Sequence, residues 1–184
     1  MTDELAKLLP EVGKLAIDTG QLLLAQQQEG AFEIEAKGDD SPVTSADFAA
    51  SRLIVERLGQ ITPTMPVLTE DALNPWQERQ TWQRYWLVDP LDGTQEFIYG
   101  SGDFAVSIAL MKQNQPVFGV IYWPDKGALY SAAKGLGATR EVAGETVPIR
   151  VNKLQKPDLE PLTIALSRRQ PVERVLSQMA IGER

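Results

Sequence analysis

Two carboxylates, Asp89 and Asp92, stand three residues apart in the segment Trp86-Leu87-Val88-Asp89-Pro90-Leu91-Asp92-Gly93-Thr94. Trp86 to Val88 is an apolar run that predicts a buried strand, and Asp-Pro-Leu-Asp-Gly-Thr ends it. Pro90 fixes φ and lacks a donor, which helps the chain to turn. That turn can aim both carboxylates at one point, with the Leu91 carbonyl between them as a further ligand. Mg²⁺ takes carboxylate, carbonyl and water oxygens, often completed by a substrate phosphate. Gly93 permits close backbone approach. If Thr94-Gln95-Glu96-Phe97 opens a helical turn, its first amides form an anion site. Asp-Gly alone is commonly just a rigid surface turn. The full segment behind an apolar strand points to a hard cation holding a phosphate.

Other acids add to this pair. Glu70 and Asp71 follow a second short strand, Pro66-Val67-Leu68-Thr69. Acidic pairs after strands are commonly solvated, but beside Asp89 and Asp92, Glu70 is a candidate third carboxylate. Asp47 lies near the start of a predicted helix and has two readings. It is a first-turn acid favoured by the helix dipole, or it pairs with Thr94 to orient a water. Spacing does not choose between them.

Composition narrows the chemistry further. The 184 residues contain no His and no Cys. That excludes Ser-His triads, thiol nucleophiles, disulfides and the usual zinc ligands. What is left is carboxylates, hydroxyls, Lys, Arg, backbone amides and the metals they bind. The net charge of −7 argues against a nucleic-acid polymer as partner. It also disfavours anionic substrates unless cations help to hold them. A hydrophobic fraction of 43% is enough for a sizeable core. No apolar stretch is long enough to span a bilayer, and no signal-type core follows the acidic start, so a cytoplasmic location is expected.

The elements that must position these groups follow from periodicity. Apolar residues at helical spacing run through residues 3–28, with Asp3 as N-cap, Gly30 past the end, and Pro10 marking a kink or a later start. Residues 32–35 alternate like an edge strand, and 37–42 read as a loop. Thr44 or Ser45 caps a second helix that ends at Gly59, with Phe48, Leu53, Ile54, Val55 and Leu58 on its apolar face. A polar loop follows the strand at 66–69. Strands are expected at 85–88, 104–111, 117–123, 128–133 and 162–166, a turn at 135–138, and a helix at 172–179. Helices first and strands after them argue for an α+β fold, with helices packed on a mainly antiparallel sheet.

Asp89-Pro90-Leu91-Asp92-Gly93-Thr94, preceded by Trp86-Leu87-Val88, resembles the signature of the inositol monophosphatase superfamily of Mg²⁺-dependent, lithium-sensitive phosphatases. Lys37, Ser41-Pro42-Val43-Thr44, Asp47 and Leu68-Thr69-Glu70-Asp71 resemble its other N-terminal motifs, in order. Gln95-Glu96-Phe97-Ile98 and Gly119-Val120-Ile121-Tyr122 resemble the branch of CysQ-type 3′(2′),5′-bisphosphate nucleotidases.

The resemblance implies two or three Mg²⁺ ions, with Mn²⁺ as the alternative, held by Glu70, Asp89, the Leu91 carbonyl and Asp92. It implies that Asp47 and Thr94 activate the attacking water, and that the Gly93 and Thr94 amides hold the phosphate. The implied substrate is a small phosphorylated nucleotide, adenosine 3′,5′-bisphosphate, a by-product of sulfate assimilation. It would be cleaved to AMP and phosphate. An inositol or sugar monophosphatase is the alternative within the superfamily. The location implied is cytoplasmic, with a peripheral position at the inner membrane as a variant, and oligomeric state is left open. A second Trp-Asp motif that completes the family's metal site does not occur; Trp123-Pro124-Asp125 has the wrong order. The resemblance therefore implies the first half of the αβαβα sugar-phosphatase fold, over residues 1–160. Residues 161–184, with Ser167-Arg168-Arg169-Gln170, would begin an incomplete C-terminal domain. An inactive metal- or phosphate-binding fragment is the third expectation.

Overall fold

The long first helix forms because one stripe of it is apolar. Leu5, Leu8, Val12, Leu15, Ala16 and Leu23 are buried at helical spacing along α1, Thr2–Glu29. Asp3 falls inside its first turn and does not cap it. Pro10 lies within the helix, so the start is early. Gly30 ends α1 as expected. With φ +61°, its amide bonds Gln27 O while Ala31 N bonds Gln26 O, which together close a left-handed cap.

The computed structural model describes residues 2–36, 42–70, 74–151, 165–166 and 172–173. The chain divides into two units, Met1–Arg150 and Val151–Arg184. Most of the strand expected at 162–166, most of the helix expected at 172–179, and Lys37, Ser41, Asp71 and 167–170 lie outside the described residues.

In the first unit, β1, Ile34–Ala36, pairs antiparallel with β2, Pro42–Thr44. Helix α2, Ser45–Ile61, comes directly after. It runs through Gly59, where an end was expected, and closes at Thr62, whose amide bonds Leu58 O. Its inward face is Ala46, Asp47, Ala50, Ser51, Ile54 and Leu58, while Phe48 and Val55 are exposed. Small residues turn inward because α2 lies close against α1 and the sheet.

The remaining elements are β3, Val67–Thr69; a short α3, Trp76–Arg79; β4, Arg84–Asp92; α4, Thr94–Tyr99; β5, Ala105–Lys112; and β6, Gln115–Trp123. A 3₁₀ turn, Pro124–Lys126, leads to β7, Ala128–Ala133; β8, Gly137–Val142; and β9, Glu145–Ile149. β3 to β9 form one sheet in sequence order. Within it, the β3–β4 pair is parallel and every other pair antiparallel. This is the expected α+β architecture. β8 and β9 add a hairpin where only a turn at 135–138 was expected, and α3 forms within the expected polar loop.

The core lies between the two long helices and one sheet face. Across β4, β5 and β6, Trp86 pairs with Leu110 and Leu110 with Phe118, and Val88 pairs with Ile108 and Ile108 with Val120. All six are at most 3% exposed. Trp86 meets Phe118 edge-on at 5.7 Å, and its Nε1 donates to Thr62 Oγ1 at 2.8 Å, tying β4 to the end of α2. No helix among the described residues is both long and apolar enough to cross a membrane.

Candidate active site

Residues three apart on a regular strand point to opposite faces. Asp89 and Asp92 escape that rule because β4 does not stop at Val88, as expected, but continues to Asp92 through a bulge. Asp89 pairs with Ser107 and Asp92 with Ala105, so β4 spends one residue more than β5 between these points. The bulge brings both carboxylates to one face. Pro90 and Leu91, inside it, turn their side chains inward, and Leu91 is 2% exposed. Asp89 Oδ1 accepts from the Leu91 amide at 3.2 Å, closing the bulge on itself.

Gly93 then reverses the chain at φ +94°, and α4 begins at Thr94, the helical turn anticipated from sequence. The amides of Gly93 and Thr94 sit where a helix start has no acceptor of its own. A Cβ on Gly93 would lie 3.0 Å from Asp103 O and 3.3 Å from Phe104 Cα, so the turn is pressed against the start of β5. The other end of α4 is held by Gln27 Nε2, which donates to Phe97 O at 2.6 Å. Phe97 packs against Phe104 at 5.3 Å and Phe32 at 5.0 Å.

Asp47 both stands in the first turn of α2 and pairs with Thr94. Its Oδ2 accepts from the Thr44 amide at 2.8 Å and from Thr44 Oγ1 at 2.7 Å, which caps α2. Its Oδ1 accepts from Thr94 Oγ1 at 3.2 Å. The Thr94 hydroxyl also lies 3.3 Å from Leu91 O, so its single proton has two acceptors. Asp47 is 4% exposed.

Glu70, Asp89, Leu91, Asp92, Gly93 and Thr94 line one cleft of about 300 Å³. Asp47 stands off its wall, joined to it through Thr94. Every metal or phosphate residue expected from sequence is thus on this cleft. Pro42, Gln95 and Glu96 join them. Glu96 was not singled out, although an acid four residues after Asp92 in a short helix was a visible signal. Among the described residues no three acidic side chains are gathered closely enough to hold a metal ion. The donor set is nonetheless all oxygen, which suits a hard cation such as Mg²⁺.

One support escaped sequence reading. Trp123 Nε1 donates to Gly102 O at 2.6 Å, and a Cβ on Gly102 would meet the Asp125 carboxylate at 2.7 Å. This clamp fixes the 100–104 loop that backs Gly93.

A family model described as the inositol monophosphatase family matches residues 4–180. The chain belongs to that family. It is 47% identical over 152 residues to the 3′(2′),5′-bisphosphate nucleotidase CysQ of Salmonella typhimurium, covering 82% of this chain and 61% of that one. Identity to CysQ of Escherichia coli strain K12 is 43% over the same lengths. Among solved structures, CysQ from Bacteroides thetaiotaomicron superposes with a TM-score of 0.64 at 31% identity, covering 90% of this chain and 64% of that one. The Thermotoga maritima IMPase gives 0.66 at 28%, covering 77% and 52%. The chain thus spans about three fifths of the length of the curated relatives it matches.

Proposed function

We propose that this chain carries the metal- and phosphate-binding part of a 3′(2′),5′-bisphosphate nucleotidase. The reaction is hydrolysis of the 3′-phosphate of adenosine 3′,5′-bisphosphate to AMP and phosphate, in the cytoplasm. The observation that carries the reading is the cleft that gathers Glu70, Asp89, Asp92 and Thr94, with Asp47 hydrogen-bonded behind Thr94. The nucleotide class rests on identity to CysQ relatives.

Glu70, Asp89, Asp92 and the Leu91 carbonyl would hold the cation, Mg²⁺ or Mn²⁺. Glu70 and Asp92 are exposed, so both have room to swing toward it. Bound there, the metal would polarise the phosphate and make water a stronger nucleophile. Thr94 and Asp47 move the proton. As water attacks phosphorus, Thr94 Oγ1 takes its proton while the threonine proton passes to Asp47 Oδ1, 3.2 Å away. The two donors on Oδ2 keep that carboxylate aimed. Oxygen of the phosphate faces the Gly93 and Thr94 amides, the bond to the ribose 3′-oxygen breaks, and that oxygen takes a proton from solvent to leave as the hydroxyl of AMP.

The test compares phosphate release from adenosine 3′,5′-bisphosphate, inositol 1-phosphate and fructose 1,6-bisphosphate, with and without Mg²⁺ and Li⁺. It is run on this chain and on a form extended to the length of its relatives. Turnover confined to the nucleotide, dependent on Mg²⁺ and inhibited by Li⁺, is expected of the extended form. Thr94→Val should lower kcat by about 10² or more while Thr94→Ser keeps most of it. Dominant inositol 1-phosphate turnover would replace the nucleotide reading with that of a monophosphatase, as the likeness to the Thermotoga maritima enzyme would allow.

A further inference from the structure

A second cavity, of about 290 Å³, opens at the other end of the strands that carry the acidic cleft. Leu68 of β3 lines it, two residues before Glu70, and Tyr85 of β4 lines it, four residues before Asp89. Four strand residues separate the two places by about 13 Å. The described walls of the two cavities share no residue.

Its chemistry is the reverse of the first. The chain has 25 acidic residues against 18 basic. Yet the described walls of this cavity carry no carboxylate, and one charge, Arg79. The guanidinium carbon of Arg79 lies 5.7 Å from the centre of the Trp76 ring. Its Nε is buried without a hydrogen-bond partner, and no ion pair of Arg79 occurs among the described residues. A guanidinium held over an aromatic face at a cavity wall suits a phosphate or carboxylate through its outer Nη donors.

Rings form part of the wall. Trp82 and Tyr85 meet in a tilted contact at 5.8 Å with their planes 49° apart, and the Tyr85 hydroxyl reaches Asn114 Oδ1 at 3.4 Å. Gln83 and Asn114 add carboxamides, which donate and accept together and so suit a base edge or ribose hydroxyls. Aromatic faces stack on planar bases. The volume is near the lower end of the small-molecule range, about 300–1,000 Å³.

We propose that this cavity is a second binding site, for a nucleoside monophosphate, with the base against the aromatic wall and the phosphate on Arg79. The site does not rest on the reaction proposed above, because it needs neither the metal nor the acidic cleft.

The test is isothermal titration of the full chain with adenosine 5′-monophosphate in EDTA, repeated with adenosine and with inorganic phosphate. Saturable binding of the monophosphate at one site is expected, tighter than either half alone. Arg79→Gln should weaken it about tenfold and leave adenosine binding unchanged. Trp76→Ala should weaken both nucleotide and nucleoside; Trp76 is 62% exposed, so the variant should fold. Asp89→Asn should bind as the parent does. No saturable binding overturns the proposal, as does adenosine binding as tightly as its monophosphate. Loss of binding in Asp89→Asn but not in Arg79→Gln would place the ligand in the acidic cleft and overturn it equally.

Discussion

Gly93 meets a backbone demand and a steric one together. Its φ of +94° disfavours any L side chain, and a Cβ would also press Asp103 O at 3.0 Å. Gly100, at the other end of α4, has φ +68° but nothing within 4 Å of its Cβ position. Gly100→Ala should therefore cost about 1 kcal/mol, for the left-handed backbone alone. Gly93→Ala should cost about 2–3 kcal/mol, because neighbouring backbone must shift as well. Urea unfolding of the two variants measures the difference, and equal losses would show that the Asp103 contact adds nothing. At this scale the sequence was informative about residue types. The Asp-Pro-Leu-Asp-Gly-Thr segment and Glu70 were legible as a cluster, because oxygen donors with a glycine turn have few other uses together. The Asp47–Thr94 bond was not decidable, since it spans 47 positions and depends on how α2 packs.

Elements bring these residues together through close approaches that periodicity does not encode. The β4 bulge is one: Pro90 hinted at a turn, but the strand takes the extra residue and keeps pairing, because β5 offers register partners on both sides. The contact of α1 with β6 is another. A Cβ on Gly20 would lie 2.5 Å from Tyr122 Cδ1 and Cε1 and 2.9 Å from Pro124 Cγ. Alanine is the better helix former by about 1 kcal/mol. Overpacking opposes that gain by about 1–3 kcal/mol, so Gly20→Ala should be destabilising or at best neutral. Gly59, in the last turn of α2, has nothing within 4 Å, and Gly59→Ala should stabilise by up to about 0.5 kcal/mol, less than in a helix middle. Opposite signs for two helix glycines, read in thermal or denaturant unfolding, would confirm that packing decides. Two gains would show that α1 stands off the sheet. β8 and β9 escaped the pattern for a related reason. Neither has a buried residue, and Pro148 fits β9 only because that strand is the sheet edge.

Across the whole molecule, the two helices cover one face of the sheet, and an excess of acid gathers at the bulged end of β4. The covered face contributes to the response to alkali. Tyr122, 6% exposed, has its hydroxyl pKa raised by burial above the usual value of 10.0. The unfolded chain therefore loses this proton first. The stability Tyr122 contributes is intact below about pH 10 and is lost as pH rises through its folded pKa, a loss that Tyr122→Phe should remove. The acidic end sets the response to cations. Glu70, Asp89 and Asp92 line one cleft in a chain of net charge −7. A divalent cation that binds the folded cleft and not the unfolded chain should stabilise by mass action, by about 2.7 kcal/mol at a hundred times its Kd. Mg²⁺ should then raise the unfolding midpoint with a logarithmic dependence on concentration, and monovalent salt of equal ionic strength should not match it. Asp89→Asn should lose most of the Mg²⁺ response. A parent midpoint that ignores Mg²⁺ would remove the cation from the cleft. An undiminished response in Asp89→Asn would move it elsewhere on this acidic surface.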